Sequence, residues 1–358
     1  MERIIKSNLT PLAFFEKDNL IIGLDGLRIK CIDINTNNTI KLRTIHRDLK
    51  TKLISNSQLL SRMYRLYPRA CTINEDKIYF VLKGYLYSYN VRGNSLREVI
   101  KLTNGMSSPL SLCPYKGGVL FGEYLNNPKK EAVRILFADD QAQSAKVICI
   151  IDNIRHIHNV IQGSKSNEFI VFTGDDGDEA GIGLLEIGDK SSSFKFLVKG
   201  SQKYRGCVGS VFNEKLFFAT DSPFEQNSLY CLDLNKTSLI KLANLPGTVI
   251  FGRTNNNYFY FSTSVESNLL KDSNGSNKVI KIDGKNGGIL SKFSKIYALN
   301  LINQTLNIVD EAKKDFLGIH YFGFGTFLFS DCQGDTIVYS SKTLKKRKNR
   351  IYLKKLNN

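Results

Sequence analysis

The chain has 358 residues, 42% of them apolar and 11% aromatic, which is enough to bury a sizeable core and excludes a disordered chain. Its 50 Lys and Arg against 33 Asp and Glu leave a formal charge of +17, pointing to an anionic partner: an acidic polysaccharide, a nucleic acid or a lipid surface. No stretch approaches the roughly 20 apolar residues of a membrane span. Residues 1–16 lack the basic start and apolar run of a signal peptide. The seven cysteines are scattered without a CxxC pair, so reduced core cysteines in a cytoplasmic protein are expected.

From the N-terminus onward, short runs of β-branched and aromatic residues alternate with Gly, Asn, Asp and Lys clusters, and helical periodicity is confined to 48–67. The runs group by fours. PLAFFE, NLIIGLD, LRIKCIDI and TIKLRTI make a first unit, and RACTI, KIYFVLKG, YLYSYNV and LREVIKL a second. Further units begin near Pro109, Arg155, Tyr204, Thr248 and His320, a spacing of roughly 40 to 70 residues that fits four-stranded blades with insertions. Such blades cannot bury their faces alone and must close into a ring. The sequence therefore predicts an all-β fold, a single β-propeller over 1–358 with about seven blades, six or eight remaining open. The basic run at 342–355, KTLKKRKNRIYLKK, reads as a solvated hairpin feeding an edge strand.

In a propeller the start of each innermost strand lies beside the end of the second, so residues from distant blades share one face. The ends of second strands supply Asp25, Glu123, Asp175 with Asp178, Asp221, Glu266 and Asp331. The starts of innermost strands supply His156, His158, Gln202, Tyr204, Arg205, Arg253 and His320, so that three of only four histidines fall at this end. His156 and His158 are one residue apart, and on a strand both point to one side, as an acid/base or metal pair requires. With Asp175 or Asp178 they would make a mixed N/O divalent site, suited to manganese or zinc more than calcium. Glu123 opposite Asp221 or Glu266 would be a glycosidase pair. No GxSxG, phosphate-binding loop or dinucleotide fingerprint is present, and no cysteine is expected in the cluster.

FGEY at 121–124, RHIH at 155–158, TGDDGDE at 173–179, GSQKYR at 200–205, TDS at 220–222 and SRMYRLYPR at 61–69 together resemble the BNR-repeat, sialidase-like propellers often encoded among bacterial surface-polysaccharide enzymes. That family's Asp box survives only in remnants such as GDKSSSFKF at 188–196, and the chain has no tryptophan. The resemblance implies an arginine triad for a substrate carboxylate, drawn from Arg62, Arg65, Arg155, Arg205 and Arg253, with Tyr204 and Glu123 as nucleophilic pair. The histidines are also similar to those of propeller polysaccharide lyases, which use a His-bound metal to acidify a uronate.

The expected function is thus a carbohydrate-active propeller, hydrolase or lyase, acting on a bacterial surface polysaccharide or its precursor. His156, His158, Glu123, Asp175, Asp178, Asp221 and Glu266 are the candidate catalytic residues. Arg62, Arg65, Gln202, Tyr204, Arg205 and Arg253 would bind substrate. The alternative is a non-catalytic propeller that binds a glycan or holds polysaccharide-synthesis enzymes together. Nucleic acid is the weaker partner, because no aromatic-basic platform of a nucleic-acid module is present.

Overall fold

The computed structural model describes residues 2–102, 106–107, 109–142, 144–271 and 276–356. Seven sheets, each opened by an innermost strand, follow one another along the chain. The innermost strands are Thr10–Phe15, Cys71–Asn74, Cys113–Tyr115, Ile157–Gln162, Gly206–Phe212, Thr248–Asn255 and Thr326–Phe329, and within each blade the successive strands pair antiparallel. The first blade gains a fifth strand, Asp331–Gln333, lying parallel beside Thr10–Phe15. The expected propeller is present, with seven blades.

Strand periodicity explains why these segments read as unbroken apolar runs. In the second strand of blade two, Ile78, Phe80 and Leu82 pack towards blade one, while Tyr79 and Val81 pack towards blade three. A strand buried on both faces has no polar side to display. Seven clusters of buried side chains fill the gaps between neighbouring blades around the ring. No single core exists; burial is shared among the interfaces.

The ring closes through the segment Glu2–Lys6, which supplies the outermost strand of the seventh blade, pairing Ile4 with Tyr352 and Ile5 with Ile351. ERIIK is too short and too charged to read as a strand alone, and the first unit was expected to open at PLAFFE. Its alternation is nevertheless that of a half-buried strand: Ile5 is buried in the blade seven–blade one cluster and Ile4 is 49% exposed.

Excursions from the repeat rise from one face. The helices Leu49–Ser55 and Gln58–Met63, capped by the Asp48 and Ser57 side chains, join the outer strand of blade one to the inner strand of blade two. The hairpin Asn268–Lys271 with Asn277–Ile280 joins the second and third strands of blade six, and the short helix Ile319–Phe322 precedes blade seven. All three connections leave from the end where innermost strands begin. The opposite face holds tight turns such as Asn213–Glu214, where φ of 48° and 56° matches the twist of the hairpin.

The two isoleucines of the closing strand give a paired test. Ile5→Asp buries an unpaired charge and is expected to cost about 3 kcal/mol or more in urea unfolding, whereas Ile4→Asp should change stability by less than about 0.5 kcal/mol. Equal effects would mean that the segment does not complete the blade.

Candidate functional site

The site forms where blades three, four and five meet on the decorated face, and two backbone irregularities build it. In blade four Ile157 pairs with Thr173 and Asn159 with Phe172, so His158 is an extra residue in the ladder. In blade five Gly206 pairs with Thr220 and Val208 with Ala219, leaving Cys207 extra. A bulge re-aims the side chain it carries, and these equivalent bulges bring His158 and Cys207 to the same junction. Gly174, at φ 68°, turns the chain after the second strand of blade four; a Cβ there would lie 2.4 Å from the Glu179 carbonyl oxygen. That turn delivers Asp175 to the histidines.

The hydrogen-bond pattern then fixes the chemistry. His156 Nδ1 lies 3.1 Å from the Leu125 carbonyl oxygen, and His158 Nδ1 lies 3.1 Å from the Gly206 carbonyl oxygen. A carbonyl only accepts, so each Nδ1 carries the proton and each neutral ring presents an unprotonated Nε2. The two Nε2 atoms are 3.0 Å apart, and Asp175 Oδ1 is 3.3 Å from one and 3.2 Å from the other. Three lone-pair donors therefore face one point. That arrangement is stable only with a cation among them, a proton or a metal ion. Burial pushes the His158 pKa down, which opposes the proton. Backbone carbonyls fixing Nδ1–H are also the usual supporting contacts of metal-binding histidines.

Charged groups close around this centre. Burial works to raise the Asp175 pKa, but when a proton sits among the three groups the hydrogen bonds from the imidazoles, together with the charge of Arg205, hold the carboxyl well below the ordinary range. Arg205 Nη2 is 3.0 Å from Asp175 Oδ1, its Nη1 donates to the Asp175 carbonyl, and Gln202 Nε2 donates to the same carbonyl at 2.7 Å. Arg155, a third exposed, lies 3.7 Å from the other carboxylate oxygen. Glu179 is fully buried and accepts from the Arg155 backbone N–H, anchoring the 174–179 loop.

One layer deeper, the Cys207 thiol donates to Asp221 Oδ2 at 3.2 Å, and Arg205 lies 3.8 Å from that oxygen. Burial pushes the Asp221 pKa up to about 8, against the pull of Arg205 and with help from Glu266. Glu266, bonded by the Thr248 hydroxyl, is also raised by burial. His158, Cys207 and Asp221 make a second group with metal-ligand atoms within 4.8 Å of one another. The Tyr124 ring lies tilted against His156 with ring centres 4.2 Å apart, and burial raises its phenol.

Of the residues expected from sequence, Arg155, His156, His158, Asp175, Asp221, Glu266, Gln202 and Arg205 come together. The others lie elsewhere. Glu123 is 2% exposed and wholly engaged by Arg134, through its backbone N–H and guanidinium, so it does not face the histidines. Asp178 pairs with Lys130 on the surface. Tyr204 packs on the blade four–blade five cluster.

The arginines do not converge as a triad. Arg253 stands near the far end of its strand and donates to the Cys71 carbonyl. Arg62 pairs with Asp315, and Arg65 is exposed beyond the second helix. Asp25 pairs with Lys30, and His320 is exposed on the short helix. Asp331 follows an innermost strand, not a second one, and accepts from Thr72 Oγ1 and the Ile73 N–H. Cys207 corrects the expectation that no cysteine enters the cluster. Its position, one residue after a strand-opening glycine as His158 is one residue after Ile157, is visible only once the bulges are known.

The raised Asp221 carboxyl sets a pH dependence. Its folded pKa exceeds the unfolded one, so the stability it contributes is full below pH ~4 and is lost as pH rises to about 8. In metal-free protein, the melting temperature of Asp221→Asn relative to the parent should therefore climb between pH 5 and pH 8. A difference that stays flat would mean that Asp221 is ionised throughout.

The chain matches no protein-family model and no curated relative. Among solved structures it is similar to an oligogalacturonate lyase in complex with manganese, with TM-score 0.51 and 13% identity over 100% of this chain and 91% of that one. An oligogalacturonate lyase from Vibrio parahaemolyticus gives TM-score 0.56 and 10% identity over 99% and 92%. A chain of a mitotic checkpoint complex gives 0.57 and 7% over 99% and 91%. At these identities the likeness establishes the seven-bladed propeller and nothing finer.

Proposed function

We propose that this chain is a metal-dependent, carbohydrate-active propeller that acts on an acidic glycan of the bacterial surface or its precursor, by elimination rather than hydrolysis. The observation that carries the reading is the meeting of His156 Nε2, His158 Nε2 and Asp175 Oδ1 with both Nδ1 protons committed to carbonyls. Two imidazoles and one carboxylate suit manganese or zinc. A bound divalent ion would supply Lewis acidity, polarising a uronate carboxylate so that its neighbouring C–H becomes acidic.

The protein's own groups fit that task. Arg155, two-thirds buried beside Asp175, offers a guanidinium edge to a substrate carboxylate. Tyr124, kept protonated by burial against the His156 ring, is placed to give a proton to the leaving oxygen as its C–O bond breaks, while the acidified C–H proton passes to solvent water and the C=C bond forms. Arg205 and Gln202 position Asp175. Hydrolysis by paired carboxylates has less support: Glu123 is spent on Arg134, and both Asp221 and Glu266 are pushed towards the protonated form. The sialidase-like nucleophile and arginine triad likewise lack a constellation here. The manganese-bound oligogalacturonate lyase among the similar folds is in keeping with the reading.

A second reading, a glycan-binding propeller with a structural ion, is favoured by one observation. The His156 and His158 side chains are only 4% and 1% exposed. The two readings separate in one experiment on protein stripped with EDTA and reloaded with Mn²⁺ or Zn²⁺, following melting temperature and the ultraviolet absorbance of unsaturated uronate product. Metal at roughly 100 times its Kd should stabilise by about 2.7 kcal/mol and restore turnover of oligogalacturonate, and His156→Ala should abolish both. Stabilisation without product would establish the binding module, and no response to either metal would overturn the site.

A further inference from the structure

On the same face, across the ring from the histidines, lies a larger cavity of about 860 Å³ between blade seven, blade one and the helical excursion. One wall is the basic run of the sequence. Lys342 ends the second strand of blade seven, Arg350 begins the third, and Lys345, Lys346 and Lys348 ride on the loop between them. Arg28 of blade one and Arg62 of the second helix face it from the other sides. The lining thus holds seven cationic side chains against two carboxylates, Asp25 and Asp315.

Both carboxylates are already engaged. Asp25 lies 2.6 Å from Lys30, and Asp315 lies 2.6 Å from Lys314 and 2.9 Å from Arg62. Asp315 offsets Arg62 and Lys30 holds Asp25, so the other six lining cations form no ion pair with a lining carboxylate among the described residues. Two cations are also held below the surface. Arg62 has a buried Nε without a hydrogen-bond acceptor among the described residues. The Lys342 ammonium donates to Thr10 Oγ1 at 2.9 Å and sits 5.1 Å from the centre of the Tyr67 ring. Burial, with Arg62 adding to it, pushes the Lys342 pKa down to about 8. A solvated surface hairpin does not account for a lysine and a guanidinium drawn into the wall of a cavity; an incoming anion does, because it offsets both charges.

We propose that this cavity binds a multiply anionic ligand whose charge is carried on phosphate or carboxylate groups. Hydroxyls and amides from Ser7, Asn8, Gln58 and Ser61 share the lining and would bond the neutral parts of such a molecule. The proposal does not depend on the metal reading: it requires only the cavity and its cations.

Calorimetric titration of the full chain with inorganic pyrophosphate and with trigalacturonate tests it and separates the two sources of charge. At least one probe should bind, more weakly as salt rises. Lys345→Gln with Lys348→Gln, both at exposed positions, should weaken it by about tenfold, and Arg62→Gln should weaken it as well. Removing two exposed charges elsewhere, Lys41→Gln with Lys241→Gln, should leave affinity within about twofold. Pyrophosphate alone would identify a phosphate ligand, and trigalacturonate alone a carboxylate one. His156→Ala should bind as the parent does, even if the lyase reading fails. Binding of neither probe, or binding lost in His156→Ala but kept in the Lys345 and Lys348 variant, would overturn the proposal.

Discussion

Two backbone carbonyls decide the character of this protein's centre. Leu125 and Gly206 hold the protons of His156 and His158 at Nδ1, which leaves two Nε2 lone pairs and a carboxylate oxygen facing one another at 3.0 to 3.3 Å. Without that constraint the same three side chains would settle as an ordinary buried triad, each donor paired with an acceptor. With it they require a cation. The carbonyls come from the short segment between the second and third strands of blade three and from the start of blade five, so the ring of blades itself sets the tautomers.

The propeller makes such placement possible because its blades differ only slightly. Equivalent bulges at the starts of the innermost strands of blades four and five put His158 and Cys207 in corresponding positions, and equivalent second-strand ends put Asp175 and Asp221 beside them. The blade-four carboxyl, Asp175, is the more exposed and is held ionised; the blade-five carboxyl, Asp221, is the more deeply buried and is pushed towards the protonated form. A repeated backbone thus yields two carboxyl groups in opposite protonation states, the division of labour that acid/base chemistry needs.

The fold was legible because each blade strand, buried on both sides, writes itself as an apolar run. The stretch 48–67 was the one part of the chain that admitted helix, and two short helices form within it. The closing strand did not, because Glu2–Lys6 becomes a strand only when Arg350–Lys355 offers it an edge. The histidine pair and Asp175 were legible from one-residue spacing and from the rule that second-strand ends meet first-strand starts. Glu123 followed that rule and still failed, since Arg134 on the adjacent strand claims both its oxygens. Asp331 failed because Thr326–Phe329 is the innermost strand of blade seven and not its second, and the segment that follows it pairs with blade one. Arg253 failed because its strand opens at Thr248, which places it well along the strand, where it donates to the Cys71 carbonyl instead. Partner choice and strand length are properties of the assembled ring.

The central claim is that both imidazoles keep Nδ1 protonated and turn bare Nε2 atoms to a common point. Nitrogen-15 NMR of the histidine rings in metal-free protein, followed by titration with Zn²⁺, reads this directly. The account predicts Nδ1–H tautomers for His156 and His158, with both Nε2 signals shifting together on one equivalent of zinc. An Nε2–H tautomer in either ring that persists through the titration would contradict it.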